Sequence, residues 1–174
     1  MIKSVITLLI FLVVITTVAQ ETKLDIQFDH EWSLKKFLVK QVRGPETRSL
    51  PARLPYVHSV TIKLTIDLKG EVIDLGYIEK AEDDVFNKLF EKLVRSTSGK
   101  WKIIEASDKV GQVYVIIPYL HRTPPDDRSK YPKDLEEQFT TYHNNLSFAD
   151  IEGCDATNCI ILPQITNYTG TPVR

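Results

Sequence analysis

One stretch, residues 59–121, constrains the fold more than any other part of this chain. Residues 60–67 alternate apolar and polar side chains, which predicts a strand with one buried face. Lys69-Gly70 follows as a tight turn, since glycine supplies the positive φ that hairpin turns need. Residues 71–79 resume the alternation, and residues 111–120 form a third apolar run. The order is therefore strand, glycine turn, strand, helix and strand.

The helix between the second and third strands has a broad apolar stripe, and acidic residues precede basic ones along it, which suits the helix dipole. Ser98-Gly99 ends it, and Trp101, directly after, is expected to pack beside the stripe. The stripe consists of Val85, Phe86, Leu89, Phe90, Leu93 and Val94. The sequence therefore predicts an α+β fold, with a three-stranded antiparallel sheet (β-β-α-β) packed on one face by helices.

Several short motifs in this frame match a known family. A strand runs into an acidic residue and a glycine turn at residues 66–72, and a helix runs into a tryptophan at residues 93–101. The final strand ends near a proline and an aromatic residue at 115–119, and an upstream helix is followed by a proline within residues 36–45. Over residues 33–121 the chain thus resembles the TonB C-terminal domain, in the form found in Bacteroidetes-type bacteria.

The resemblance implies a periplasmic protein-binding module without catalytic chemistry. In similar proteins the final strand pairs with a short segment of outer-membrane receptors, the TonB box. An edge strand can accept such an extended peptide because its backbone N–H and C=O groups are unpaired. Pro118 supports an edge position, since proline cannot donate to a central ladder. On this chain the partner-binding edge strand would be Val113, Tyr114, Val115, Ile116 and Ile117, acting through backbone groups.

The resemblance also bears on the role and on the partner. The membrane helix and proline-rich spacer of energy-transducing members are not visible in this sequence, which favours an accessory to outer-membrane transport. The expected partner is a protein, such as a TonB-box-like receptor peptide, and pairing of two copies into a homodimer is an alternative use of the same strand. There are two alternative hypotheses. The protein is either a secreted structural protein that keeps the fold without TonB activity, or a small ligand-binding protein.

The N-terminus has the pattern of a signal peptide, residues 1–19. Lys3 precedes an apolar run, and small residues end at Ala19, as signal peptidase requires. The apolar run is shorter than the roughly 20 residues of a spanning helix, which favours cleavage over a retained anchor. We therefore expect a periplasmic or secreted protein with a TonB-like domain at 20–122 and a C-terminal extension at 123–174.

The extension is expected to contain a short helix at 133–143, a hairpin at 148–162 and a disordered end from Thr166. Cys154 and Cys159 enclose four turn-forming residues, and export to an oxidising compartment predicts a disulfide that clips this hairpin. Two thiols without a nearby histidine lack the four ligands of a structural zinc site. Their spacing also differs from that of a C-x-x-C redox pair.

No residue pattern indicates catalysis, a cofactor or a metal site. The histidines are scattered and are expected on the surface or in loops: His30, His58, His121 and His143. A formal net charge of −1 argues against binding to nucleic acid. The sequence therefore favours a binding protein over an enzyme.

Overall fold

The computed structural model describes residues 24–42, 57–106, 110–122, 137, 140–142 and 144–168. The predicted signal peptide lies outside these residues. The elements in chain order are β1 (Asp25–Phe28), α1 (Leu34–Val42), β2 (Val57–Asp67), β3 (Val72–Glu79), α2 (Asp84–Arg95), β4 (Trp101–Glu105), β5 (Gln112–Arg122), a 3-10 turn (Phe148–Asp150), β6 (Cys159–Ile161) and β7 (Ile165–Tyr168).

The strands form two sheets. The main sheet has five strands in the order β3-β2-β5-β6, and β7 pairs with β5 beside β6. β2 is antiparallel to β3 and β5, whereas β6 and β7 run parallel to β5. β1 and β4 form a separate antiparallel ribbon. The α+β class is confirmed. The three-stranded sheet is wrong, because the C-terminal extension adds two strands to β5.

The hairpin between β2 and β3 turns as the sequence predicts. Gly70 has a φ of 87°, and its N–H donates to the carbonyl oxygen of Asp67 at 3.0 Å. The Asp67 side chain accepts from the backbone N–H groups of Lys69 and Glu71, both at 2.9 Å. The turn is thus held by a side chain that mimics backbone hydrogen bonding.

Helix α2 begins and ends at capping residues. The Asp83 side chain accepts from the N–H of Phe86 at 2.8 Å, which satisfies one free donor of the first turn. The chain leaves the helix at Ser96, and Gly99 follows with a φ of 71°. At the start of α1, the N–H of Lys36 donates to the Ser33 hydroxyl at 3.4 Å. The helices predicted before and after the β2–β3 hairpin are confirmed at α1 and α2.

The main core lies between one face of the sheet and the helices. Phe90 of α2 packs on Tyr119 with ring centroids 4.4 Å apart. Trp101 is buried as predicted, and its Nε1 donates to the Thr97 hydroxyl at 3.0 Å. Val85, placed in the helix stripe by sequence, is instead 58% exposed. The fully buried side chains that β2 and β5 contribute to this main core are Val60, Ile62, Leu64, Ile66, Val113, Val115, Ile117 and Tyr119.

Part of the C-terminal extension packs on the opposite face of the sheet. Ile116 of β5 meets Ile151 and Cys159 in a second apolar cluster. Of the predicted short helix at 133–143, residues 137 and 140–142 are described and are helical, and residues 144 and 145 after its predicted end are helical as well. The predicted hairpin at 148–162 is wrong, because β6 pairs with β5 instead of folding back on the preceding residues. The predicted disorder is wrong for residues 166–168, which belong to β7; the rest of that end lies outside the described residues.

Replacing Gly70 by alanine should destabilise the protein. A Cβ on Gly70 would lie 1.9 Å from the carbonyl oxygen of Trp101, and its positive φ is strained for any side chain. We expect Gly70→Ala to lower the free energy of unfolding by at least roughly 1–3 kcal/mol in urea titrations. The matched control is Gly76→Ala in β3, where nothing lies within 4 Å of the added Cβ. Equal losses in the two variants would contradict this account of the turn.

Candidate functional site: the outer edge of β5

The predicted partner-binding residues all lie in β5, but β5 is not an edge strand. On one side Val113 pairs with Ile66, and Ile117 with Ile62. On the other side, here called the outer edge, residues 114–116 pair with β6 and residues 119–122 pair with β7. The expectation of an open edge is therefore not met, because strands of the C-terminal extension occupy it. That these residues bind a partner stays a prediction.

Backbone hydrogen bonds join the outer edge to the extension. The N–H of Tyr114 donates to the carbonyl oxygen of Asn158 at 2.7 Å, and the N–H of Leu162 donates to that of Ile116 at 3.0 Å. Because backbone groups alternate in direction along a strand, the even-numbered residues of β5 face the extension.

Pro118 lies where the outer edge is interrupted. Alternation directs its nitrogen toward the extension, and its register falls between the residues that pair with β6 and those that pair with β7. A proline needs one unpaired position on one side of a strand, not a whole unpaired edge. This is why Pro118 suggested an open edge although β5 is interior to the sheet.

A disulfide and a lysine hold β6 in place. Cys154 and Cys159 are joined as predicted, with their Cα atoms 5.3 Å apart. The Lys63 ammonium of β2 donates to the carbonyl oxygen of Glu152 and lies 4.3 Å from the centroid of the Tyr114 ring. The loop before β6 is thereby tied to the second face of the sheet.

Three buried polar side chains lie side by side across strands β2, β5 and β7. They are His58, His121 and Asn167, and we call them the polar row. They are direct neighbours on β2, β5 and β7, and each is 5% exposed or less. Asn167 Nδ2 lies 3.3 Å from His121 Nδ1, and the His58 ring stacks on Phe86 with centroids 4.8 Å apart.

The prediction that the histidines lie on the surface is wrong for His58 and His121. His58 lies two residues before Val60, and His121 two residues after Tyr119. Both therefore continue the buried face of their strands, and strand periodicity carried beyond the apolar run was the signal that could have found them. His30 is partly buried beside Trp32 and Phe37, and His143 lies outside the described residues.

Burial determines the charge of the polar row. Desolvation, together with a smaller effect of the neighbouring His58, lowers the pKa of His121 to about 4. Burial also lowers the pKa of His58, although Asp83 and Glu82 at the start of α2 act in the opposite direction. Both rings are therefore neutral near pH 7. Within the described residues, His58 Nε2 and Asn167 Oδ1 have no hydrogen-bond partner.

A second polar group lies on the other face of the sheet. Ser59 and Thr61 hydroxyls donate to the Glu79 carboxylate, both at 3.4 Å, and burial raises the pKa of Glu79. Among the residues that the structure describes, no three His, Cys, Asp or Glu side chains lie together in a way that could hold a metal ion. The prediction that the chain is not an enzyme stays untested by this geometry.

The resemblance to the TonB C-terminal domain gains no support from known proteins. No protein-family model, no curated protein and no solved structure matches this chain. No helix within the described part of the chain is long and apolar enough to cross a membrane. The outer edge of β5, with the strands that cover it, is thus characterised by its geometry alone.

The polar row should make stability depend on pH. The pKa of His121 is lower in the folded than in the unfolded protein, because the buried ring must stay neutral. The contribution of neutral His121 to the free energy of unfolding is therefore present above about pH 6.5 and is lost as the pH falls toward about 4. We expect His121 to account for a loss on the order of 2 kcal/mol in the free energy of unfolding between about pH 7 and pH 4.5. Urea titrations of His121→Leu should show a flatter pH dependence than those of the wild-type protein. An unchanged slope in His121→Leu would contradict the assignment.

Removing the disulfide should loosen β6. The enclosed loop is short, so Cys154→Ala with Cys159→Ala should cost near the low end of roughly 2–4 kcal/mol. The amide of Tyr114, which donates into this loop, should exchange faster with solvent, while that of Leu64 in β2 stays protected. Reduction of the wild-type protein should reproduce the effect. Unchanged exchange at Tyr114 would mean that β6 is held without the disulfide.

Proposed function

We propose that the protein is a protein-binding module of the TonB C-terminal type. It acts in the periplasm as an accessory to outer-membrane receptors or transport systems, and it pairs an extended partner peptide with the outer edge of β5. Supporting this proposal, the elements β2, β3, α2 and β5 occur in the order that the family motifs imply, with β4 between α2 and β5. The glycine turn at Gly70 and the buried Trp101 fall at the corresponding motif positions.

The observation that carries the proposal is the way β5 takes up short strands. β6 has three residues and β7 has four, and they join β5 at separate places in parallel register. Backbone pairing of short extended segments is the mode of recognition that strand addition uses. The outer edge therefore has the hydrogen-bonding groups and the length to receive a partner peptide of similar size.

The covered edge has a consequence for affinity. A partner peptide must take the place of β6 or β7, so its apparent affinity falls in proportion to the fraction of molecules in which that part of the edge is open. The module then binds its partner more weakly than an open edge would. Partners that arrive in high local concentration are favoured.

A secreted structural protein that keeps this fold is the second candidate. The observation in its favour is that both sides of β5 are paired within the chain, so the sheet is complete without a partner. This candidate predicts no peptide binding at any concentration in the range of module–peptide interactions.

Peptide titration tests the proposed function. N-terminal peptides of outer-membrane receptors that contain a TonB box should bind the full chain more tightly than scrambled peptides do. Bound peptide should shift the amide resonances of the outer edge of β5, either at Tyr114 and Ile116 or at Leu120 and Arg122, and leave those of Asp74 and Gly76 in β3 unchanged. Binding no stronger than that of the scrambled control would contradict the proposal. Shifts confined to β3 would move the binding site to the opposite end of the sheet.

A further inference from the structure

We propose that β7 is a displaceable strand and that residues 118–122 of β5 form the surface that accepts a partner. The partner is an extended peptide that runs parallel to β5, with an aliphatic side chain and, two residues later, a carboxamide side chain. This inference rests on the proposed function, and it moves the contact from residues 113–117 to the far end of the strand.

The two strands of the extension are held very differently. β6 begins at Cys159, which is buried and covalently linked to Cys154, and Lys63 fastens the loop before it. β7 has no such attachment in the described part of the chain; its buried side chains are Ile165 and Asn167. β7 is therefore the part of the outer edge that opens at the lower cost.

We call the position beside residues 118–122 of β5, which β7 occupies, the slot. The side chains around the slot define the chemistry of the partner. Ile165 pairs with Tyr119 and joins the main core, while Asn167 pairs with His121 in the polar row. Residues i and i+2 of a strand share a face, so a peptide that replaces β7 must supply the same two side chains in the same order. An aliphatic residue fills the apolar position, and a carboxamide hydrogen-bonds to the imidazole.

The polar row is incompletely satisfied while β7 is in place. Asn167 Oδ1 and His58 Nε2 are buried and have no hydrogen-bond partner among the described residues. Opening β7 brings these atoms into contact with water, which removes the free-energy cost of burying a polar atom without a partner. The polar row thus lowers the cost of displacing β7.

A second copy of this chain is a poor occupant of the slot. β7 starts four residues after the end of β6, and four residues span at most about 14 Å. While β6 stays paired with its own β5, β7 can pair with the β5 strand of another molecule only if that strand comes within about 14 Å, which disfavours exchange between copies. A peptide from a different protein has no such tether, and we therefore assign the slot to a separate partner.

The test uses the full chain and a fluorescein-labelled peptide with the sequence of residues 164–169. Ile165→Ser removes the buried aliphatic side chain of β7, and Ile160→Ser is the matched variant in β6. In Ile165→Ser we expect hydrogen exchange at the Leu120 amide to rise at least about tenfold, with Tyr114 unchanged, because β7 opens independently of β6. The peptide should bind Ile165→Ser about tenfold more tightly than wild type, because more molecules have an open slot. The same peptide with Asn167→Leu should bind roughly tenfold more weakly, through loss of the bond to His121.

Four results would overturn the inference. They are unchanged protection at Leu120, loss of protection at Tyr114 together with Leu120, no peptide binding once Leu120 is exposed, and dimers of Ile165→Ser in sedimentation, which would make a second copy the occupant. The peptide with the β7 sequence separates this inference from the proposed function. If it binds and receptor peptides do not, residues 118–122 accept a peptide but the proposed TonB-type function is wrong. If receptor peptides bind while Leu120 stays protected, the role stands and the slot is elsewhere.

Discussion

The backbone of β5 must find hydrogen-bond partners on both sides, and the rest of the fold follows from that requirement. β5 is eleven residues long, and its middle is buried on both faces of the sheet. Buried N–H and C=O groups without partners cost free energy comparable to that of a lost hydrogen bond. β2 satisfies one side, and the C-terminal extension satisfies the other. The extension is thus part of the sheet.

The two faces of β5 explain why its cover is divided. One face carries the main core under α2, and the other carries Ile116 against the disulfide-bearing loop. Cys159 and Ile161 of β6 belong to that second cluster, whereas Ile160 of β6 and Ile165 of β7 reach the main core. Pro118 separates the two pairings, since it has no N–H to offer either strand. The edge therefore consists of a firmly covered part and a more weakly covered part.

A covered edge reconciles stability with binding. Open edges invite aggregation, and covering an edge is one of the ways in which proteins avoid it. If the cover can be displaced at one end, the strand remains available to a partner that supplies equivalent hydrogen bonds. Under the proposed function, the extension would protect the strand and weaken binding to any peptide that matches the slot poorly.

Local sequence patterns predicted most helices and strands. They did not predict which strands that are distant in sequence pair with one another. The turn at Gly70, the capped helix α2 and the buried Trp101 all depend on residues close in sequence, and so does the disulfide. The ribbon of β1 and β4 and the pairing of β6 and β7 with β5 join distant segments, which periodicity cannot reveal. Short strands such as β7 carry a weak signal, and this made the end of the chain look disordered. His58 and His121 were misplaced because polar residues were taken as the end of each buried run.

Nuclear Overhauser effects across the outer edge test the central claim most directly. In the isotope-labelled full chain, the parallel registers of Val115 with Ile160 and of Leu120 with Thr166 bring their backbone protons within reach of one another. The account predicts cross-strand effects at both places, together with slow exchange of the Tyr114 amide. Absence of both effects, with fast exchange at Tyr114, would show that the outer edge of β5 is open and would contradict the account.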